Sequence, residues 1–330
     1  MDNILLDVKD LKVEYLSDGK VIKAVNGVRF RLERGKTIGL VGETGAGKTT
    51  TARSIMRLVQ QPPGAYRGGQ ILFEGLDLMQ VSEATMRTIR GKQISMIFQD
   101  PMTSLNPVYT VGNQIAEVIT LHEKVSPAEA MRRGKRTLET VGIPAERSNE
   151  YPHQFSGGMK QRVCIAIALA GNPKLIIADE PTTALDVTIQ AQVLNLMKNL
   201  KNEFDTAMIL ITHDLGIVAE VCDTVAIMYA GRIIEFGTLA EIFRSPRHPY
   251  TQGLFNAIPA LDKKIRRLNP IGGLMPDPAN LPEGCAFCPR CAYAAERCWT
   301  EQPDYLELNA DHAVACFHFA EAAGLNGGMA

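Results

Sequence analysis

The chain has 330 residues, 45% of them hydrophobic, with 35 basic against 36 acidic side chains and a net charge of −1. That length and apolar content suit a large globular domain with a smaller one beside it and exclude general disorder, and the lack of a dense Lys/Arg block removes the electrostatic footprint of a DNA- or RNA-binding surface. The most apolar runs, Val163 to Ala170 and Ala207 to Ile211, fall far short of the roughly 18 residues that span a bilayer. The opening MDNILLDVKD carries acids where a signal peptide carries bases. A cytosolic chain is expected, and its seven cysteines read as free thiols or metal ligands rather than disulfides.

Residues 4–16 and 25–34 read as strands, the second alternating Val28, Phe30 and Leu32 with polar partners, around a turn at Ser17-Asp18-Gly19. Tyr15 in the first strand offers a ring that can stack on a purine, although half-buried packing is the commoner use of an isolated strand tyrosine. Next comes an apolar strand, Thr37 to Val41, then Gly42-Glu43-Thr44-Gly45-Ala46-Gly47-Lys48-Thr49-Thr50, then a helix expected from Thr49 to Leu58. This is the P-loop pattern in the strand–loop–helix context it requires. Its glycines let successive N–H groups turn inward at a helix N-terminus, which makes a pocket for phosphate oxygens. Lys48 is expected on the β- and γ-phosphates and Thr49 on Mg²⁺.

A Pro/Gly-containing loop is expected over 61–69, followed by a strand-like ILFEG and a strand from Ile94 to Phe98 that ends at Gln99-Asp100-Pro101. Ligands in α/β folds gather at such strand ends, although alone Gln99 reads as a solvated loop residue. From about 102 to 163 the pattern is helical: Val111, Ile115, Val118 and Ile119 share one face, and Ser126-Pro127-Ala128-Glu129 is a capping box. The segment closes on FSGGM, where Ser156, Gly157 and Gly158 open another helix and leave its first N–H groups for an anion. Leu175 to Ala178 is a continuous apolar run ending in Asp179 and Glu180. Beside a P-loop, the first carboxylate suits Mg²⁺ and the second the attacking water. Asp186 caps a helix with an apolar stripe of Ile189, Val193, Leu196, Met197, Leu200 and Phe204, and a further strand, Ala207 to Thr212, ends at His213-Asp214.

In order and spacing, GETGAGKT, the Gln99 turn, FSGGM, LIIADE, TALD and TH resemble the ATP-binding cassette (ABC) of membrane transporters over about residues 4–245. The resemblance implies an α/β P-loop ATPase with a RecA-like core, an antiparallel β subdomain and a helical subdomain at about 102–163. It also implies roles: Tyr15 for adenine stacking, Gln99 for the Q-loop and a Mg²⁺ contact, Ser156 to Lys160 for the signature. Glu180 becomes the catalytic carboxylate, Asp179 a Mg²⁺ ligand, Asp186 the D-loop residue and His213 the switch histidine. The signature departs from LSGGQ at Phe155 and Met159, changes expected to affect packing more than activity. The segment Ser245-Pro246-Arg247-His248-Pro249-Tyr250-Thr251, by pattern a Pro-broken linker before a helix over 251–257, looks like the start of the extension found in ATPase subunits of oligopeptide and dipeptide importers. Relatives of that group serve nickel, glutathione or oligosaccharides. Family behaviour implies a partner cassette, two membrane permease subunits, an extracytoplasmic binding protein and no nucleic acid, with the chain peripheral on the cytoplasmic side of the bacterial cell membrane. Rival readings are a non-transport ABC ATPase and a redox or metal-sensing regulator.

The expected extension, 246–330, begins with a Pro/Gly-rich loop over 268–284 and then concentrates Cys285, Cys288, Cys291, Cys298 and Cys316 within 32 residues. Such clustering in a reducing compartment favours a metal site. The resemblance implies a [4Fe–4S] cluster on Cys285, Cys291, Cys298 and Cys316. Cys288 is an alternate ligand, and Zn²⁺ is the competing metal, since it too accepts four cysteines.

Overall fold

The computed structural model describes residues 3–183, 185–257 and 271–322. The first three residues of the loop expected over 268–284, Ala184 of the TALD motif and the last eight of the extension lie outside the described residues.

The N-terminal alternation builds a long antiparallel hairpin of β1 (Ile4–Ser17) and β2 (Lys20–Glu33), which turns at Asp18 and Gly19 with positive φ at both. Strand β3 (Thr37–Val41) leads to the P-loop and helix α1 (Lys48–Ile55). The chain then returns to the hairpin through β4 (Gly64–Phe73) and β5 (Leu76–Asp77), giving a four-stranded antiparallel sheet in the order β2-β1-β4-β5. The loop expected over 61–69 is therefore partly strand. Its glycine content reflects a register shift in the β1–β4 pairing: Gly69, at φ 95°, lies where an added Cβ would stand 2.6 Å from the Asp10 carbonyl.

After α2 (Glu83–Ile89) and β6 (Ile94–Ile97), the helical segment consists of one turn, α3 (Pro101–Ser104), then α4 (Val111–His122), α5 (Pro127–Thr140) and α6 (Gly157–Leu169). Ser126 caps α5 as its sequence predicts, its hydroxyl accepting from Glu129 N at 3.2 Å. There follow β7 (Leu175–Asp179), α7 (Val187–Glu203), β8 (Ala207–Thr212), α8 (Leu215–Val221), β9 (Thr224–Tyr229), β10 (Arg232–Thr238), α9 (Leu239–Arg244) and α10 (Pro249–Asn256). The extension adds α11 (Glu296–Thr300), β11 (Leu306–Asn309), β12 (His312–Val314) and α12 (Phe317–Ala322).

These strands form an eight-stranded sheet in the order β11-β12-β10-β9-β3-β8-β7-β6, parallel from β9 to β6. Strands β3, β7 and β8 are buried along their whole length, which is why they read as unbroken apolar runs: a parallel sheet is covered on both faces. Side chains alternate between the covers. Ile38, Leu40, Ile177, Ile209 and Ile211 join the core under the antiparallel sheet, whereas Val41, Ile176, Ala178 and Leu210 join the core under the helices. Strand β12 pairs with β10 through Glu235 and Val314, so the central sheet continues past residue 245 into the extension. No helix among the described residues is long and apolar enough to cross a membrane.

Candidate nucleotide site

Strand β3 delivers the P-loop to the C-terminal end of the parallel strands, and two of the loop's glycines are fixed by close approach. A Cβ on Gly42 would stand 2.3 Å from the Met228 carbonyl oxygen, and one on Gly47, at φ 97°, would stand 2.4 Å from that of Ala24. Gly47 begins α1 without a side-chain cap, which leaves the first N–H groups of the helix for an anion. The loop bounds a cavity of about 440 Å³ lined by Thr44 to Thr50, Gln99, Glu180 and His213, with Ile22, Ala24 and Pro278 completing the wall. That volume is within the range of small-molecule sites.

Lys48 is 6% exposed. Its ammonium folds onto the loop, donating to the Gly42 carbonyl at 2.6 Å and the Glu43 carbonyl at 3.0 Å. Burial lowers its pKa, opposed by the charges of Glu180, Asp179 and Glu43. At the end of β7, Asp179 is buried and its Oδ1 accepts from the Thr49 hydroxyl at 3.0 Å. Burial raises the pKa of this carboxyl, with Glu180 adding to the rise against the Thr49 hydrogen bond. A hydroxyl and a carboxylate side by side at a phosphate pocket are the hard oxygen donors that Mg²⁺ takes, so these residues fit the ion their sequence implied.

Glu180 turns the chain at the strand end with φ 47°, an uncommon conformation for a non-glycine residue that aims its side chain back over the cavity. Its Oε2 accepts from Gln99 Nε2 at 3.2 Å and from the Thr183 hydroxyl at 3.0 Å, while His213 Nδ1 stands 3.4 Å from Oε1. Three separate strand ends, of β6, β7 and β8, thus meet on one carboxylate beside the P-loop.

Other expected residues stand elsewhere. Tyr15 does not line this cavity: its ring packs toward Gly64, where an added Cβ would meet Cε1 at 3.1 Å. Tyr15 stands directly across the β1–β2 pair from Ile22, which with Ala24 forms part of the cavity wall. Ser156, Gly157 and Gly158 open α6 outside the cavity. A Cβ on Gly158 would press on the Ile189 side chain at 2.4 Å, and Asp186 caps α7, its Oδ1 accepting from Ile189 N at 2.9 Å. The departures at Phe155 and Met159 share one neighbour, Arg147, whose guanidinium carbon lies 4.4 Å from the Phe155 ring centroid and whose Nη1 lies 3.3 Å from the Met159 sulfur.

The five clustered cysteines line one small enclosed cavity of about 20 Å³ together with His248, Phe287 and His318. Among the described residues no three His, Cys, Asp or Glu side chains meet in a geometry that would hold a metal ion. Burial, aided by the neighbouring sulfurs, pushes the Cys285 thiol up to about 12 and the Cys288 thiol up to about 11.

Sequence reasoning missed Glu235. This fully buried carboxylate in β10 accepts from Arg247 N at 2.7 Å, His248 N at 2.9 Å and His312 Nε2 at 2.8 Å, tying the extension to the central sheet. The available signal was a glutamate inside the apolar run RIIEFGT, since a buried charge requires partners.

Residues 25–183 match the ABC transporter family model, and residues 234–298 match that of the oligopeptide/dipeptide transporter C-terminal region. The oligopeptide transport ATP-binding protein OppD of Bacillus subtilis is 53% identical over 313 residues, covering 94% of this chain and 87% of that protein. OppD of Salmonella typhimurium is 48% identical over 317 residues, covering 96% and 94%. Among solved structures, the ATP-binding cassette MJ0796 in a dimeric post-hydrolysis state with ADP and Pi is similar at a TM-score of 0.64 and 25% identity, covering 71% of this chain and 98% of that one. The chain belongs to the ABC transporter ATP-binding proteins, in the branch that carries the oligopeptide/dipeptide transporter C-terminal region.

Proposed function

We propose that this chain is the ATP-hydrolysing subunit that energises import of oligopeptides or dipeptides across the bacterial cell membrane. The observation that carries the reaction is the convergence of Gln99, Thr183 and His213 on Glu180 beside the P-loop. In this reading the P-loop N–H groups and Lys48 hold the phosphates. Thr49 and Asp179, with Gln99 as a further expected contact, would hold Mg²⁺, which would supply charge neutralisation to the phosphates. Glu180 accepts a proton from water attacking in line with the γ-phosphate, and His213 orients that carboxylate. Ser156, Gly157 and Gly158 lie outside this chain's own cavity, which supports their acting on ATP bound to a second cassette, with Asp186 at the shared seam. The substrate class rests on the names of the relatives, which are oligopeptide transport and peptide import proteins.

The chain would work from the cytoplasmic face, with residues 1–245 as the cassette and 246–330 as the extension, paired with a second cassette and seated on two permease subunits that receive solute from an external binding protein. Reconstituting that assembly in liposomes tests the reading. ATP-dependent accumulation of labelled di- or oligopeptide, with ATPase activity stimulated by loaded binding protein, is expected. Accumulation of nickel, glutathione or an oligosaccharide instead would replace the substrate, and no coupling to any solute would refute transport.

For the cysteines, the reading supported by five thiols on one cavity is a [4Fe–4S] cluster held by Cys285, Cys291, Cys298 and Cys316, with Cys288 as alternate. Structural Zn²⁺ also takes four thiolates, so the metal content of the protein decides between the two. Brown protein with about four iron per chain after anaerobic purification is expected; colourless protein with stoichiometric zinc would overturn the cluster.

A further inference from the structure

We propose that Tyr250 and Arg290, both in the C-terminal extension, are positioning residues for nucleotide binding, acting through Glu43 of the P-loop; the proposal rests on the ATP-site reading above. Glu43 does not line the phosphate cavity, and it is held by the extension at two points. Its N–H donates to the Tyr250 hydroxyl at 3.1 Å, and its Oε2 accepts from Arg290 Nη1 at 3.0 Å. The remaining polar atom of that peptide, the Glu43 carbonyl, accepts from Lys48 Nζ at 3.0 Å and from Ala46 N at 3.1 Å. One residue thus joins the extension to the lysine that would meet the phosphates.

Both anchors are rigid. The Arg290 side chain is 6% exposed. Nε donates to the Gly272 carbonyl at 2.9 Å, Nη2 to that of Ile271 at 3.4 Å, and Nη1 also reaches the Tyr229 hydroxyl at 3.3 Å. A guanidinium held at every nitrogen loses little freedom in gripping a carboxylate. Tyr250 is fully buried, with ring centroids 4.8 Å from Tyr229 and 5.5 Å from Phe287. Its place follows from the three residues at the start of α10: His248 Nδ1 caps the helix by accepting from Tyr250 N at 3.0 Å, and Pro249 occupies the first turn. Arg290 belongs to a 3₁₀ turn between Cys288 and Cys291, so the fold of the cysteine-lined cavity sets where the guanidinium stands.

The same extension covers the loop elsewhere. Met275 Cε lies 2.9 Å from where a Cβ on Gly45 would be, and Pro278, a wall of the nucleotide cavity, accepts from Lys23 N at 3.0 Å. A glycine-rich loop that is already ordered binds its ligand without the cost of ordering on contact. Releasing Glu43 should therefore weaken nucleotide binding and leave the chemical step nearly intact.

The test uses the assembled transporter, reading the Kd of a fluorescent ATP analogue with Mg²⁺, the KM and kcat for ATP, and the unfolding temperature. Arg290→Ala should raise Kd and KM about 5- to 50-fold with kcat within about threefold, because lost loop order appears in binding. Arg290→Lys should recover only part of this, since a point charge lacks the fork. Tyr250→Phe keeps the ring packing and removes the hydroxyl; a 3- to 10-fold rise in Kd is expected, with only a small fall in unfolding temperature. In a double-mutant cycle, Glu43→Gln should add little to Arg290→Ala. Wild-type Kd and KM in both Arg290→Ala and Tyr250→Phe, or full additivity of Glu43→Gln with Arg290→Ala, would overturn the clamp. Lys48→Ala separates the two levels: if it abolishes nucleotide binding while the clamp variants bind normally, only the clamp fails, and if it too binds normally, the ATP site itself is misplaced.

Discussion

Replacing Glu180 by glutamine removes proton-accepting ability while keeping shape. Glu180 Oε2 accepts from the Thr183 hydroxyl at 3.0 Å and from Gln99 Nε2 at 3.2 Å, and a carboxamide oxygen in that position accepts both bonds. The new NH₂ then falls near His213 Nδ1, 3.4 Å from Oε1 in the wild type, and a neutral imidazole nitrogen can accept from it. The polar framework survives, so nucleotide affinity and stability should stay near wild type. What is lost is the base. A positioned general base contributes about 10²- to 10⁴-fold, or about 3–5 kcal/mol of transition-state stabilisation at about 1.4 kcal/mol per decade. Phosphate release at saturating ATP should fall by at least about 10²-fold in the assembled transporter, with binding of the ATP analogue retained. A kcat within threefold of wild type would remove Glu180 from the proton transfer. Loss of nucleotide binding would show instead that the carboxylate organises the pocket.

Ser156→Arg should bind ATP yet fail to pair, because a bulky cation at the start of α6 would enter the partner's phosphate site; ATP-dependent dimerisation measured by light scattering in the Glu180→Gln background checks this, and surviving dimers would contradict a composite site. Burial lowers the pKa of His248 to about 4, with Glu235 opposing, and its Nδ1 accepts the Tyr250 N–H, so the native ring is neutral. The unfolded ring titrates near about 6.5 and binds the proton first on acidification; stability is then full above about pH 6.5 and falls toward pH 4, losing about 2 kcal/mol by about pH 5. Denaturant midpoints across that window should show the loss, and His248→Asn, which keeps a capping oxygen without titrating, should flatten it. Glu235→Ala strips the acceptor from Arg247 N, His248 N and His312 Nε2 at about 1–3 kcal/mol for each buried donor left unpaired; rapid proteolysis of the extension is expected, and wild-type resistance would mean those donors find other partners.

How far each part could be read from sequence follows the range of the interaction behind it. The P-loop, the strand ending in Asp179 and Glu180, and the Ser126 cap were legible because each is local: a few residues at fixed spacing determine both backbone and chemistry. Parallel strands β3, β7 and β8 were legible as unbroken apolar runs because both faces are covered. Strands β11 and β12 were missed. They are short, with residues such as Glu307 and Asn309, and the sheet takes them in only because β12 pairs onto β10, far away in sequence, with β11 then pairing onto β12. Tyr15 shows the limit from the other side. Its strand was legible from the local pattern, whereas its cross-strand neighbours, Ile22 on β2 and Gly64 on β4, come from pairings the pattern does not encode. The cysteines show it again: count and spacing located their common cavity, while the choice among five thiols depends on distances that spacing does not encode. Glu43 and Arg290 are 247 positions apart, and neither stands out in its own segment, one being a variable position of the P-loop pattern and the other an arginine between two cysteines. Their pairing is a long-range contact supplied by the extension; a cassette ending near residue 245 would lack Tyr250, Arg290 and Pro278 at this site. On that argument the extension belongs to the nucleotide site, and its removal should weaken ATP binding even though every residue of the P-loop pattern remains.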